Sequence, residues 1–471
     1  MNTEYEMIIG LEVHIELKTE TKIFCSCPTG FGAEPNTQCC PVCAGLPGAL
    51  PVLNKKVVEY AVKAGLATHC QIARLSRQDR KNYFYPDLPK AYQISQYDLP
   101  LCEHGYLTIE TASGPKQVGI TRIHIEEDAG KLVHDEQKGT FIDLNRCGVP
   151  LIEVVSEPDM RSAEEARAYL QKLRTVILST GISDCRMNEG SLRCDVNLSI
   201  RPVGETRLGT RTEIKNLNSF QSMVRAIEYE FARQVEAVRT GQSIVQETQR
   251  FDQASGKTYS MRGKEEANDY RYFPDPDLPP IALGSEEIEA LRATLPASPD
   301  ARERQYVKEY GLSAADARRI AADAGLAEYF EQGAKSCAHP RIMANLLISE
   351  ALPLSGTEPI RVKAGDLAQL ADMLAAEEIN SSTAKRVLRE IAQDGQPPRQ
   401  VVDRLGLWQI NDERALGEIV RQVLEESTAL VESYRRGKQA ALKGLIGQAM
   451  AKSNGLGNPV KIETLLRETL K

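Results

Sequence analysis

The chain has 471 residues, 42% of them hydrophobic and 26% charged, with a formal net charge of −7. These values are ordinary for a globular protein of two or three domains, and they exclude a positive charge spread over the whole chain that would bind nucleic acid. No apolar run approaches the roughly 20 residues of a membrane helix, and the N-terminus lacks a signal-peptide pattern, so we expect a cytoplasmic protein without a membrane partner.

Residues 8–17 predict the first strand, because apolar residues alternate strictly with other residues. The apolar face would carry the five aliphatic side chains from Ile9 to Leu17, and the other face would carry Glu12 and His14. The same period recurs at residues 192–201, where Asp195 lies on the polar face. Half-buried strands of this kind are typical of an antiparallel sheet.

Four cysteines between residues 25 and 43 have the spacing of a zinc ribbon. Cys25 and Cys27 are separated by one residue, and Cys40 and Cys43 follow after twelve residues. Such paired thiolates are typical of structural zinc in a reducing compartment, where eleven cysteines do not indicate a disulfide framework. Cys39 is an alternative third ligand, and reduced free thiols are the alternative to a metal site.

Residues 77–98 combine four tyrosines and one phenylalanine with three acidic residues, two lysines and two prolines. Pro86 and Pro89 disfavour a helix, and the polar residues outnumber what a core can bury. We therefore expect a loop used for contact rather than a helix or a strand. The alternative is a solvated loop with its aromatic side chains tucked beneath it.

Two helices have clear start and stop signals. The first should run from about Ala163 to Thr180, with Ser162 and Glu165 as a capping box and Gly181 at its end. The second should span residues 221–240, between Ser219 and Gly241. After the prolines at 274–280 the chain reads as helix from about residue 286, with a break at 395–398 between two helical blocks.

Several carboxylates fall on or near the predicted sheet faces, and they would repel one another unless a cation lies between them. We therefore predict a divalent metal site, for which oxygen ligands favour Mg²⁺ and a histidine would admit Mn²⁺ or zinc. The alternative is pairing with nearby arginines. The carboxylates concerned are Glu126, Glu127, Asp128, Glu153, Glu157, Glu189 and Asp195, and the arginines are Arg122, Arg146, Arg193 and Arg211.

The segment Tyr434–Lys471 is basic, with eight Lys or Arg against two Glu, a net charge of +6. In an acidic protein such a segment predicts contact with an RNA backbone. The alternative is a solvated helical bundle with incidental charge. Glycines argue against that alternative, because they are poor helix formers and allow close approach to phosphate; they are Gly444, Gly447, Gly455 and Gly457.

Six segments occur along the chain in this order: IIGLEVHIELKT at 8–19, RQDRKNYFYPDLPKAYQISQYD at 77–98, HIEEDAGK at 124–131, DLNRCGVPLIEVVSEPD at 143–159, EGSLRCDVNLSIRP at 189–202 and DYRYFPDPDLPP at 269–280. Together they closely resemble motifs of the GatB family, the B subunits of tRNA-dependent amidotransferases. The resemblance extends from about residue 5 to the C-terminus. It implies an α+β fold with a cradle domain over residues 1–285 similar to the catalytic domain of glutamine synthetase. A helical domain would follow over 286–398, then a small helical tail over 399–471 similar to the YqeY family.

The resemblance implies an ATP-dependent ligase. ATP would phosphorylate the side-chain carboxylate of Glu or Asp esterified to tRNA, and ammonia would displace the phosphate to give Gln-tRNA(Gln) or Asn-tRNA(Asn). Gly256-Lys257-Thr258 is not a nucleotide-binding loop, because Phe251 stands where that motif needs glycine; a carboxylate-lined sheet would hold ATP through Mg²⁺ instead. Nothing in the chain resembles an amidase or a glutaminase, so a separate A subunit would supply ammonia and a small C subunit would complete the complex.

Residue roles are carried over from the same resemblance. The expected metal ligands are Glu12, His14, Glu127, Glu153 and Asp195, and the expected catalytic residues are His14, Lys81, Glu127 and Glu153. An ammonia channel or substrate loop would include Lys81, Tyr83, Lys90 and Tyr92, and tRNA would contact Arg435, Arg436, Lys438, Lys443 and Lys452. Some family members lack the four cysteines, so zinc would be a local staple. The rival interpretation is a tRNA-binding scaffold without chemistry, against which the carboxylates argue, because without a metal they would repel RNA.

Overall fold

The computed structural model describes residues 4–135, 137–263, 270–356 and 358–470. Asp269, the first residue of the sixth motif, and the C-terminal Lys471 lie outside these ranges. Contacts divide the chain into two units, Met1–Ser298 and Pro299–Lys471. The domain limits given above stay predictions.

The first unit is built on strands with four helices. The strands are β1 (Tyr5–Glu16), β2 (Gln71–Ile72), β3 (Leu75–Ser76), β4 (Asp79–Asn82), β5 (Tyr92–Ser95), β6 (Cys102–Thr111), β7 (Gly114–Glu127), β8 (Lys131–Asp135), β9 (Gly139–Asp143), β10 (Pro150–Ser156), β11 (Leu192–Pro202), β12 (Thr212–Lys215), β13 (Glu247–Asp252), β14 (Lys257–Gly263), β15 (Phe273–Pro274) and β16 (Ile281–Ala282). The helices are α1 (Lys55–Ala67), α2 (Ala163–Thr180), α3 (Phe220–Arg239) and α4 (Ser285–Ala293).

Nine of these strands form one sheet in the order β14-β13-β12-β11-β1-β10-β7-β6-β2. Its pairs are antiparallel, as predicted, except that β12 and β13 run parallel. The strand β1 lies near the centre, between β10 and β11. The sheet therefore places the motif at residues 8–19 between the motifs at residues 143–159 and 189–202.

The alternation predicted for β1 is confirmed. The side chains of Ile9, Leu11, Val13 and Ile15 are fully buried in a core that α1, α2 and α3 complete on one side of the sheet. Each such side chain contributes about 1.5–3 kcal/mol relative to exposure. The opposite side of the sheet is free to carry polar side chains.

The predicted helix 163–180 is confirmed at both ends. Ser162 accepts a hydrogen bond from the backbone of Glu165, and Gly181 adopts the left-handed conformation with φ +72°. The second helix starts one residue earlier and ends one residue earlier than predicted, and Ser219 caps it as expected. Local capping chemistry thus determined these boundaries.

The expectation of an irregular loop at residues 77–98 is wrong at both ends of that segment. Strands β4 and β5 pair antiparallel there, and β15 pairs with the other edge of β4. Each strand has only two to four residues, so pairing with neighbours rather than local sequence pattern stabilises them. The residues between β4 and β5 form the connection that carries both prolines.

The second unit is helical. Its helices are α5 (Pro299–Tyr310), α6 (Ala314–Ala321), α7 (Ala324–Ala334), α8 (Pro340–Leu346), α9 (Leu352–Ser355), α10 (Ala364–Ala375), α11 (Ser381–Asp394), α12 (Pro398–Leu405), α13 (Glu413–Glu426), α14 (Thr428–Arg435), α15 (Ala440–Lys452) and α16 (Pro459–Thr469), with a π-helical turn at Leu347–Ala351. Two hydrophobic clusters organise these helices, one between Tyr306 and Leu407 and one between Leu416 and Leu470.

Two of the tail glycines lie inside a helix although glycine is a poor helix former, and their close approach to phosphate stays a prediction. Gly444 and Gly447 lie inside α15. A Cβ at Gly444 would be 3.3 Å from Leu430, so this glycine allows α14 and α15 to pack closely. None of the helices in the described ranges combines the length and apolar character of a membrane span.

Candidate active site and cysteine cluster

Polar side chains line the face of the sheet opposite the helices. His14 is paired across strands with Glu153 on β10 and with Arg193 on β11. Glu153 is in turn paired with His124 on β7. Because residues directly opposite each other on neighbouring strands project to the same face, these side chains converge.

Two histidines and two glutamates form what we call the histidine–carboxylate cluster: His14, His124, Glu126 and Glu153. His14 Nε2 is 3.5 Å from Glu153 Oε2, and His124 Nε2 lies 3.0 Å from Glu126 Oε1 and 3.5 Å from Glu153 Oε2. Both glutamates and His124 are buried. The cluster is therefore an acidic site largely withdrawn from water.

The charges in the cluster shift one another's pKa values. Burial and Glu153 raise the pKa of Glu126, but Lys81 and His124 outweigh them and lower it to about 2. Burial raises the pKa of Glu153, and His124 and His14 outweigh it to hold that pKa well below its usual range. Burial lowers the pKa of His124, but the two glutamates raise it to about 9. Both carboxylates are thus kept ionised.

The cluster fits a divalent cation. Ligand atoms of His14, Glu126 and Glu153 all lie within 4.8 Å of one another, which brings one nitrogen and two oxygen donors together. His124 Nδ1 is buried and has no hydrogen-bond partner among the described residues. A mixed nitrogen and oxygen donor set suits Mg²⁺, Mn²⁺ or zinc.

Strands β4 and β5 bring further polar groups to the cluster. Ser95 Oγ donates a hydrogen bond to Glu126 at 2.6 Å, and Gln93 Nε2 donates to the same carboxylate at 3.2 Å. Lys81 pairs across strands with Gln93. Burial lowers the pKa of Lys81, but Glu126 outweighs it and the pKa is raised. Lys81 is thus a charged amine near the carboxylates, and its catalytic role stays a prediction.

Glu127 is on the other side of β7 from Glu126. It is paired across strands with Pro150, accepts a hydrogen bond from the backbone of Ile94 at 2.9 Å, and forms a buried ion pair with Lys90. Tyr92 lines the same cavity of about 210 Å³ as this ion pair. The structure therefore separates Glu127 from His14 and Glu153, and its role as a metal ligand stays a prediction.

Glu12 and Asp195 lie on the same face as the cluster but outside it. Glu12 accepts a hydrogen bond from Asn197 at 2.8 Å, and Asp195 accepts one from Lys215 at 2.8 Å. Lys215 also approaches Glu213 at 3.0 Å. Burial and the charge of Glu153 raise the pKa of Glu12. These residues form a second acidic group next to the first.

The four predicted zinc ligands come together. Ligand atoms of Cys25, Cys27, Cys40 and Cys43 lie within 4.8 Å of one another, which suits tetrahedral zinc. The thiol of Cys39, the alternative ligand, instead donates to the backbone carbonyl of Asn36 at 3.3 Å.

A lysine and a glycine connect the cysteine cluster with neighbouring parts of the first unit: Lys22 by hydrogen bonds and Gly45 by close packing. Lys22 is fully buried, and its Nζ donates to Cys43 Sγ at 3.6 Å and to the carbonyl of Leu144 at 3.3 Å. The hydrogen bond with Cys25 lowers the pKa of Cys43 to about 4, and Lys22 adds to this effect. Gly45 has no room for a side chain, because a Cβ would lie 2.7 Å from Lys90 Cγ.

The basic residues predicted to contact tRNA are all exposed in the second unit. Two of them form ion pairs on the surface, Arg436 with Glu432 at 2.9 Å and Lys452 with Glu426 at 2.8 Å. The five residues are Arg435, Arg436, Lys438, Lys443 and Lys452. Exposed pairs of this kind are weak, so these cations stay accessible to another charged partner.

From the sequence, His124 was not named as a site residue, and Glu126 was named among the candidate carboxylates but not among the expected ligands, although a signal for both existed. In β7, Ile123 and Ile125 are fully buried in the core. The period of two therefore puts His124 and Glu126 on the polar face and Glu127 on the core face.

Known proteins resemble this chain over nearly its full length. The family model of the GatB/GatE catalytic domain matches residues 7–289, and that of the GatB domain matches residues 328–470. The B subunit of aspartyl/glutamyl-tRNA(Asn/Gln) amidotransferase from Caldicellulosiruptor saccharolyticus is 53% identical to it. The proteins of the same name from Carboxydothermus hydrogenoformans and Brevibacillus brevis are 52% and 48% identical, and each of the three alignments covers 99% of both chains. Because similarity of this degree extends along the whole sequence, the protein belongs to the GatB family.

Proposed function

We propose that this chain is the B subunit of an aspartyl/glutamyl-tRNA amidotransferase and that it activates the amino acid carried by the tRNA. The names of its full-length relatives support the assignment to such a complex. The observation that carries the activation step is the histidine–carboxylate cluster with Lys81 beside it.

The reaction requires a better leaving group than a carboxylate offers. An oxygen of the Glu or Asp side chain attacks the γ-phosphorus of ATP, the bond to the β-phosphate oxygen breaks, and ADP leaves. Ammonia then attacks the acyl carbon, phosphate departs with the bonding electrons, and loss of a proton gives the amide. In this scheme Lys81 holds transferring phosphate oxygens by charge.

His14, Glu126 and Glu153 would hold the catalytic cation, and Glu12 and Asp195 would contribute to a neighbouring site on the same face. When bound, Mg²⁺ or Mn²⁺ neutralises charge on phosphate oxygens. The two glutamates are ionised and buried, so they can bind a cation without first losing a proton. Burial lowers the pKa of His14 but Glu153 outweighs it and the pKa is raised, so this histidine would give up its proton on binding the cation.

Ammonia would come from a separate A subunit, and a C subunit would complete the complex. Lys90, Tyr92 and Tyr83 belong in this proposal to the path of ammonia or to the substrate loop. The ion pair of Lys90 and Glu127 in a small cavity supports a polar passage on that side of β7. Structural zinc in the cysteine cluster would stabilise the loop that packs on Lys90.

We extend the proposal to the two halves of the chain. The first would be a cradle similar to the catalytic domain of glutamine synthetase, to which the nine-stranded sheet with helices on one face is suited. The second would end in a YqeY-like tail that binds tRNA through exposed Arg and Lys side chains, including Arg435, Arg436 and Lys438.

The activation step can be tested by substituting the adjacent glutamates Glu126 and Glu127 one at a time. The chain is combined with its A and C partners, supplied with ammonium chloride, and assayed for ADP release with and without Glu-tRNA(Gln). We expect release to depend on the charged tRNA and to fall by about 10²-fold or more in Glu126→Gln, because the substitution removes one charged ligand. The matched variant is Glu127→Gln, which alters the opposite face, and a smaller fall in release in this variant than in Glu126→Gln would identify Glu126 as the ligand.

The reverse result would make Glu127 the ligand. Release that survives both substitutions and does not need the charged tRNA would favour the rival function, a scaffold that binds tRNA without performing chemistry.

A further inference from the structure

Four tyrosines form a continuous aromatic cluster beside the candidate active site, and we call it the tyrosine cluster: Tyr83, Tyr97, Tyr270 and Tyr272. Tyr97 and Tyr272 stack with ring centroids 4.3 Å apart and planes 9° apart. Tyr270 meets Tyr272 edge-on at 6.1 Å and Tyr83 at 5.9 Å. Residues far apart in the sequence thus build one aromatic surface.

The outermost ring of the cluster is exposed. Tyr97 retains 62% of its accessible surface although its ring lies flat on Tyr272. An aromatic ring that is stacked on one side and open to water on the other is typical of a binding surface rather than a core.

The backbone of Tyr97 is held in place by charged neighbours. Its amide donates to Asp79 Oδ2 at 2.9 Å, and Asp79 is buried and paired with Arg77 at 3.2 Å. Arg77 also forms an ion pair with Asp98 at 2.7 Å. The backbone at Tyr97 is therefore anchored and its ring is held on one face by Tyr272, which reduces the entropy lost when a ligand stacks on it.

Ring contacts connect the exposed end of the cluster to the candidate active site. Lys81 Nζ lies 5.0 Å from the centroid of Tyr270, which contacts Tyr272, on which Tyr97 stacks. Lys81 is the lysine beside Glu126. A ligand stacked on Tyr97 could therefore direct a phosphate or ribose toward the place where the chemistry is proposed.

We propose that the tyrosine cluster binds an unpaired nucleobase by stacking on Tyr97. The proposal rests on the proposed function, which requires two ligands with an accessible base. One is the tRNA, whose aminoacylated end is single-stranded, and the other is ATP. Aromatic rings beside a cation are the usual means by which proteins hold unpaired bases without sequence preference.

The test compares Tyr97→Ala with Tyr97→Phe in the full chain bound to its partner subunits. The control is Phe84→Ala, which removes another exposed aromatic ring from the same segment. Three ligands are titrated: intact tRNA(Gln), the same tRNA without its 3′-terminal adenosine, and a non-hydrolysable ATP analogue.

Loss of one stacked base should weaken binding by about tenfold in Tyr97→Ala, while Tyr97→Phe and Phe84→Ala bind like the wild type. If the tRNA is the source of the base, the loss affects intact tRNA and not the shortened one. If ATP is the source, only the analogue is affected.

Unchanged affinity for all three ligands would overturn the proposal, and so would a defect confined to assembly with the partner subunits, which would make the surface a protein interface. Failure of the proposed function is distinguishable, because in that case wild-type protein would show no ADP release that depends on charged tRNA.

Discussion

Lys22 is a buried cation that lies against the thiols of the cysteine cluster. Its Nζ contacts Cys43 Sγ, and its side chain is fully buried. Four thiolates around one zinc ion carry a net negative charge, which is unfavourable in a buried site without a compensating cation. Lys22 is therefore expected to support the metal without binding it.

We predict that Lys22→Met, which removes the charge and keeps the size, weakens zinc binding about tenfold or more, as is usual for partners of metal ligands. The measurement is transfer of zinc to a chromophoric chelator. The matched control is Lys18→Met, which changes an exposed lysine on the same segment. Equal zinc transfer from both variants would contradict this role.

At the scale of elements, β4 and β5 explain why two lysines of one segment have different neighbours. Lys81 on β4 faces Glu126, whereas Lys90 precedes β5 and pairs with Glu127. Since Glu126 and Glu127 are consecutive in β7, their side chains project to opposite faces. The short strands β4 and β5 and their connection thus supply a lysine to each side of the sheet.

We predict different consequences for the two lysines. Lys81→Met should lower glutamine-supported and ammonium-supported amidation alike, on the order of 10²-fold, because a charge near the reacting phosphate is lost. Lys90→Met should lower glutamine-supported amidation more than ammonium-supported amidation, because Lys90 lies away from the histidine–carboxylate cluster and on the side of β7 where the path of ammonia is proposed. The measurement is the ratio of glutamine-supported to ammonium-supported activity in each variant. The same ratio in both variants would contradict the different roles of Lys81 and Lys90.

Sequence patterns identified the elements whose signals are local. The alternation of β1 and the caps of α2 are visible in consecutive residues, and both were predicted correctly. Strands β4 and β5 were missed because their stability depends on partners that are distant in sequence, such as β15. In the candidate site, the structure places the sequence-predicted His14, Glu153 and Lys81 in or beside the histidine–carboxylate cluster, and their roles stay predictions. Glu126 belongs to the cluster because the period of β7 turns it to the polar face, whereas Glu127 projects to the other side.

On the scale of the whole molecule, the position of the last hydrophobic cluster determines how the tail can be tested. A deletion from residue 405 onward would remove Leu407, whose side chain is buried in the preceding cluster. Trp408 packs partly against the same cluster, and the last cluster begins at Leu416. The cut is therefore better placed after Trp408.

We predict that this truncation weakens tRNA binding and leaves binding of an ATP analogue unchanged. In the full-length chain, Arg435→Ala and Lys443→Ala should each flatten the dependence of tRNA affinity on salt, by about 0.7–0.9 in the logarithmic slope for each phosphate that is no longer bound. The measurement is tRNA affinity over a series of salt concentrations. An unchanged slope in both variants would remove the tail from the tRNA site.

The opposite orientation of Glu126 and Glu127 also limits how the gene can change in length. Inserting or deleting a single codon shortly before this pair would turn each glutamate to the other side of the sheet, although no residue type had changed. The register with β10 already contains one such shift, between Val155 and Ser156. Length changes in β7 would therefore preserve both carboxylate environments only when they occur in compensating pairs.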